Sequence, residues 1–148
     1  MEFPTEAAKN CYERVTPMIK EVFGEFATAN PEYPVYTLAM GSAYIQIGVY
    51  PWADDDAVVR IWSYVITGVE NTADLMKHLL TQNANMILGA FALDEDGDVV
   101  LQYCVPGLTC TKEEMKLAAM SIIYTADRVD DEIVAKFGGQ RAIDRTPK

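Results

Sequence analysis

The sequence holds one histidine, His78, and three cysteines, Cys11, Cys104 and Cys110, with no Cys-x-x-Cys spacing among them. A zinc site needs several such ligands in close spacing, so none is expected. The thiols read instead as small apolar residues in or near a core kept reduced, and Cys110, in a loop after Gly107-Leu108-Thr109, is expected to be the most exposed. Phosphate-binding and hydrolase signatures are missing as well: there is no Gly-x-x-x-x-Gly-Lys-Ser/Thr, no Gly-x-Gly-x-x-Gly and no Gly-x-Ser-x-Gly. His78 lies between Lys77 and Leu79 with no serine or cysteine nucleophile motif beside it, and reads as a helix-surface or interface residue. No catalytic residue, cofactor or metal is expected, and the reading is non-enzymatic.

Positive charge is scarce too. Lys and Arg number 12 against 22 Asp and Glu, a net charge of -10, which disfavours phosphate backbones and anionic lipid surfaces as partners. Apolar runs of ~18 residues, the length that spans a bilayer, do not occur. The start, MEFPTEAAKN, is acidic without a long apolar stretch, so no secretory signal is expected and the cytoplasm is the expected location.

What the sequence has in quantity is apolar side chains, half of its 148 residues, enough for one well-buried core. The most informative stretch is Asn83 to Tyr103, where two alternating apolar runs flank Asp96-Gly97, a pair suited to a turn with positive φ. Asp94-Glu95-Asp96-Gly97-Asp98 superficially resembles a calcium loop. An EF-hand loop needs glycine at its sixth position and glutamate at its twelfth; Val99 and Val105 stand there. The segment is a turn, and Asp54-Asp55-Asp56 likewise reads as a solvated loop.

Apolar residues from Ala8 to Phe26 recur every three to four positions and predict a helix over Thr5 to Ala29, interrupted or kinked at Pro17. Strands are expected at Val35 to Met40, at Ala43 to Tyr50 after a Gly41-Ser42 turn, and at Ala57 to Thr67 after an exposed loop from Pro51 to Asp56. Thr72 or Asn71 caps a short helix through Leu80. Two strands follow, Met86 to Leu93 and Asp98 to Val105. Thr111-Lys112-Glu113-Glu114 is a capping box, and behind it Met115, Ala119, Ile122, Ala126, Val129, Ile133 and Phe137 mark a long helix that stops at Gly138-Gly139.

The order is α-β-β-β-α-β-β-α: an α+β fold in two layers, with a twisted, mainly antiparallel five-stranded sheet packed by the N- and C-terminal helices. Residues 1–139 are expected to form one domain and 140–148 a flexible polar tail. If Ile45, Ile47, Val49, Val59, Ile61, Val65, Phe91, Leu93, Val99 and Leu101 face the terminal helices, alternation puts Tyr44, Gln46, Tyr50, Arg60, Trp62, Tyr64 and Gln102 on the opposite face. That face is aromatic, with Gly48, Ala90 and Ala92 leaving shallow space among the rings. Tyr44, Tyr50, Arg60, Trp62 and Tyr64 are therefore the candidate peptide- or partner-binding residues, because aromatics and arginine bury large area at low entropic cost. The competing reading makes the same face a second core layer beneath the Thr72 to Leu80 helix.

The element order and the local series Asn83-Ala84-Asn85, Gly89-Ala90-Phe91-Ala92-Leu93-Asp94, Asp96-Gly97, Val99-Val100-Leu101 and Leu108-Thr109 resemble the YbjN-like proteins, related in fold to the type III secretion chaperones of the CesT class. The resemblance covers nearly the whole chain. It implies an acidic, cytoplasmic homodimer that binds a peptide segment of a partner protein, chaperone-like or adaptor-like. The alternatives kept beside it are a structural or regulatory subunit with an obligate homo-oligomer interface, and a small-ligand binder using Arg60 or His78 as its polar anchor.

Overall fold

The computed structural model describes residues 1–41 and 43–144. Helix α1 (Glu6–Phe23) starts where Thr5 accepts a hydrogen bond from the Ala8 amide at 3.1 Å, and buries Ala8, Cys11, Val15, Ile19 and Phe23 along one stripe. It runs through Pro17 without the expected break. Pro17 is exposed, so the carbonyl that it leaves without a partner lies on the solvent side while buried Val15 and Ile19 hold both flanks. The helix ends six residues earlier than the periodicity implies. Gly24 takes φ +53°, a single 3-10 turn follows over Gly24–Phe26, and Ala27–Ala29 become strand β1.

Strands β2 (Val35–Met40), β3 (Ala43–Trp52) and β4 (Asp56–Thr67) form successive antiparallel hairpins. Ser42, half of the expected turn, lies outside the described residues, and its neighbour Gly41 has φ +62°. Pairing between β3 and β4 continues to Trp52 opposite Asp56, which shortens the expected Pro51 to Asp56 loop to a tight turn with Ala53 at φ 55°. Helix α2 (Ala73–Asn85), capped by Thr72, is longer than expected, and β5 (Ala90–Leu93) is correspondingly shorter, because Gly89 at φ +80° breaks the extended run before it. Strand β6 (Val99–Pro106) follows a turn in which the Asp94 carboxylate accepts from the Asp96 and Asp98 amides at 3.0 and 2.9 Å. Helix α3 (Lys112–Phe137) opens with the predicted capping box between Thr111 and Glu114. Residues read as tail are partly ordered into the fold: β7 (Gln140–Arg141) pairs with the end of β4.

The sheet is antiparallel in the order β1-β2-β3-β4-β6-β5, with β7 off that path, so among the described residues it has seven strands rather than the expected five. Helices α1, α2 and α3 contribute to one core with the sheet, around Ile19, Leu38, Ile45, Ile61, Leu75, Met115 and Ile122. Each such side chain taken out of water stabilises the fold by roughly 2 kcal/mol. Nine of the ten residues assigned to the helix-facing side are buried; Leu93 is the exception at 37% exposure, because it ends the edge strand β5. Cys110 is also corrected: it is buried at 1%, since Arg14 donates to the carbonyls of Gly107, Leu108 and Cys110 and ties the loop against α1, whereas Cys104 is exposed.

Candidate partner-binding face

The terminal helices cover one side of the sheet only. Helix α2 puts Leu75 and Leu79 into the same core, and its His78 ring lies 5.2 Å from Phe137 at the end of α3. The sheet's other face is therefore not a second core layer beneath α2. Along it, cross-strand register brings Gly48 opposite Arg60, Gln46 opposite Trp62, and Trp62 opposite Gln102.

Three of the five predicted site residues meet at the centre. The Arg60 guanidinium carbon sits 4.9 Å from the centre of the Trp62 ring, and Tyr50 packs against the same indole at 6.1 Å. Arg60 Nε and Nη2 both donate to Gln102 Oε1, at 3.0 and 2.7 Å, which fixes the guanidinium plane above the ring. Gly48 makes this packing possible: a Cβ there would lie 2.9 Å from Tyr50 Cε2 and 3.1 Å from the Trp62 ring. Trp62 is consequently buried to 8% exposure, a platform held by its neighbours rather than an open contact. Tyr44, Tyr64 and Tyr50, at 54%, 38% and 37%, are exposed aromatics of the face, and Trp52 at 65% adds one that the reading of the strand pattern left in a loop. Burial raises the Tyr64 hydroxyl above its ordinary pKa, and a hydrogen bond to Asp94 adds to the rise.

Tyr44 and Tyr64 also stand at the mouth of a cavity of about 230 Å³. The topology makes it. Ile66 pairs with Val99 of β6 and with Arg141 of β7, so β7 continues along the flank of β4 beyond the start of β3, and the sheet opens between them. On the other flank of β4, the register with β6 shifts between Tyr64 and Ile66. Ser63 Oγ bridges its rim, 2.8 Å from the Tyr44 carbonyl and 3.2 Å from that of Tyr64. Inside, the cavity meets Thr67, Ala126 and Asp130, with Ala142 and Ile143 closing one side. Sequence reasoning missed these residues. The available signal was Asp130, a carboxylate four residues after Ala126 and three before Ile133 on the buried stripe of α3. Its burial leaves it at 6% exposure and raises its pKa.

Among the described residues no cluster of His, Cys, Asp or Glu is placed to hold a metal ion, and no helix is long and apolar enough to cross a membrane. Residues 10–145 match the family described as T3SS (YopN, CesT) and YbjN peptide-binding chaperone 1. No curated protein matches the chain. Among solved structures, a chain of the HopA1-SchA chaperone-effector complex is similar with a TM-score of 0.64 at 7% identity, over 86% of this chain and 99% of that one. A chain of the ExsC-ExsE complex is similar with a TM-score of 0.63 at 14% identity, over 86% of this chain and 95% of the other. At such identities the likeness is one of fold.

Proposed function

The chain belongs to that family of peptide-binding chaperones, and from this premise we propose that it is a non-enzymatic, cytoplasmic chaperone-like or adaptor-like domain that binds a peptide segment of a partner protein. The observation that carries the reading is a sheet face free of helices, built on the Tyr50-Trp62-Arg60 cluster and lined by the exposed rings of Tyr44 and Tyr64. Aromatic rings on a rigid sheet give an extended segment large contact area with little ordering cost on the chaperone side. The net charge of -10 favours a partner segment of neutral or basic character.

A photo-crosslinking amino acid placed at Tyr64, and in a control at Tyr124 on the exposed side of α3, tests the reading in the native lysate. Adducts to a partner segment from position 64 but not from 124 are expected. Equal adducts from both positions, or none from 64, would remove the face as the binding site. Substituting Tyr44 and Tyr64 together by Ala is the matching functional variant, since both rings are exposed and their loss leaves the Trp62 platform in place.

A homodimer is the second reading, favoured by two apolar side chains beside β5: Leu80 on α2 at 68% exposure and Ile87 at 96%. A second copy covering them would remove both from water. Sedimentation at low concentration decides it, with a dimer expected for the native chain and a monomer for the Leu80→Glu, Ile87→Glu variant.

A further inference from the structure

The cavity between β3 and β7 combines features that select one kind of occupant. Its walls are mainly apolar and aromatic, with Tyr44, Trp62, Tyr64 and Ile143 around it and Gln46 and Ser63 among them. Its interior is polar and undersatisfied. Thr67 lines it at 3% exposure, and the Thr67 hydroxyl has no hydrogen-bond partner among the described residues. Leaving such a group buried and unpaired costs about 1–3 kcal/mol, a cost that a ligand donor or acceptor removes. Asp130, also lining the cavity, accepts a bond from the Asp131 amide at 2.7 Å.

The electrostatics point the same way. Asp127 and Asp131 raise the energy of a charge on Asp130, and Arg141 lowers it. Arg141 is already engaged, with Asp144 at 2.7 Å and Asp131 at 3.5 Å, so among the described residues carboxylates outnumber cations at this end of the sheet. An anion would be repelled, and a wholly apolar group would leave Thr67 and Asp130 as they are. A side chain with an alkyl stem and a cationic head satisfies both: the stem lies along the rings and the head reaches the carboxylate and the hydroxyl. The geometry points to a subsite in which Asp130 and Thr67 receive the cationic head of a lysine or arginine side chain of the bound partner segment, with Tyr44, Trp62 and Tyr64 around its stem. This inference rests on the peptide-binding reading above, and it adds the class of residue that the segment must carry.

Small probes separate the two claims. The amide derivatives of N-acetyl-arginine, N-acetyl-lysine and N-acetyl-norleucine are titrated into the isotope-labelled full chain and followed by NMR at the Thr67 and Asp130 amides and the Trp62 indole. The Trp52 indole, exposed at the end of β3 and not among the residues that line the cavity, is the internal control. Saturable shifts at the three cavity signals with the two cationic probes are expected, weaker by about tenfold with norleucine and in the Asp130→Asn variant. Thr67→Val, which keeps the shape and removes the hydroxyl, is expected to weaken binding less. Equal shifts with norleucine, an unchanged response in folded Asp130→Asn, or no response at the cavity overturns the subsite. Panning random extended peptides on wild type and Asp130→Asn scores the wider reading separately. Binders without a basic residue that hold both proteins equally leave peptide binding standing and overturn the subsite; basic binders lost on Asp130→Asn support it.

Discussion

Arg14 ties the loop before α3 to α1. Its guanidinium donates to three loop carbonyls, those of Gly107, Leu108 and Cys110, at 3.0, 2.6 and 2.5 Å, a set that water would otherwise have to satisfy. Hydrogen bonds from a charged donor are among the stronger ones, so Arg14→Met is expected to cost about 3 kcal/mol, read from denaturant unfolding. The thiols report the same contact. Burial, followed by the neighbouring Cys110, pushes the Cys11 thiol up to about 11, and burial raises Cys110 and Cys104 as well, but of the three only Cys104, on β6, is exposed to reagent. Native protein at mildly alkaline pH should therefore label at Cys104 alone, with all three thiols reacting in denaturant. In Arg14→Met, Cys110 should become reactive without denaturant; if its rate is unchanged, the loop is held by something other than Arg14.

Among the elements, β5 is the most exposed to loss, since it has four residues and a single strand partner, β6. Asn83 in α2 compensates on the open side. Its side-chain amide donates to the Phe91 carbonyl at 3.1 Å and accepts from the Phe91 amide at 2.7 Å, the two bonds that a neighbouring strand would make. Asn83→Ala should cost about 2 kcal/mol and turn the Phe91 amide from a protected to a fast exchanger in hydrogen-exchange measurements. Unaltered protection at Phe91 would mean that the edge is stable without the clamp. The sequence pattern does not show this clamp, because periodicity carries no information about which backbone a side chain will reach. The same limit governs the rest. Long stripes such as Ala8 to Phe23 and Met115 to Ile133, and the alternation in β3 and β4, were legible because burial repeats with the period of the element. Strands β1 and β7, of three and two residues, are too short to show a period, and they form only because longer strands offer them partners. The cavity depends on β7 and the turn after it, so its tyrosines could be read from the strand pattern and Ala142 and Ile143 could not.

For the whole molecule, a net charge of -10 makes compaction work against self-repulsion at neutral pH, and Asp130 is where that repulsion meets burial. Burial raises the Asp130 pKa in the fold, with Asp131 and Asp127 adding to the rise and the Asp131 amide and Arg141 opposing it. Between the ordinary carboxylate value of about 3.9 and the raised value, the folded chain holds more protons at this site than the unfolded one, so its contribution to stability falls as pH rises through that window. Glu114 and Asp144, whose carboxyls are lowered by bonds from Thr111 and Arg141, act in the opposite sense and lose their contribution as pH falls. A comparison with Asp130→Asn isolates the one group from the others, since the amide keeps the size and cannot ionise. The melting temperature of the variant should exceed that of the native chain at pH 7, and the gap should close as the pH is brought below about 4, where Asp130 is protonated in both states. A gap that stays constant across this range would mean that the substitution acts through packing or a hydrogen bond, and that the carboxylate is ionised in the fold at no cost.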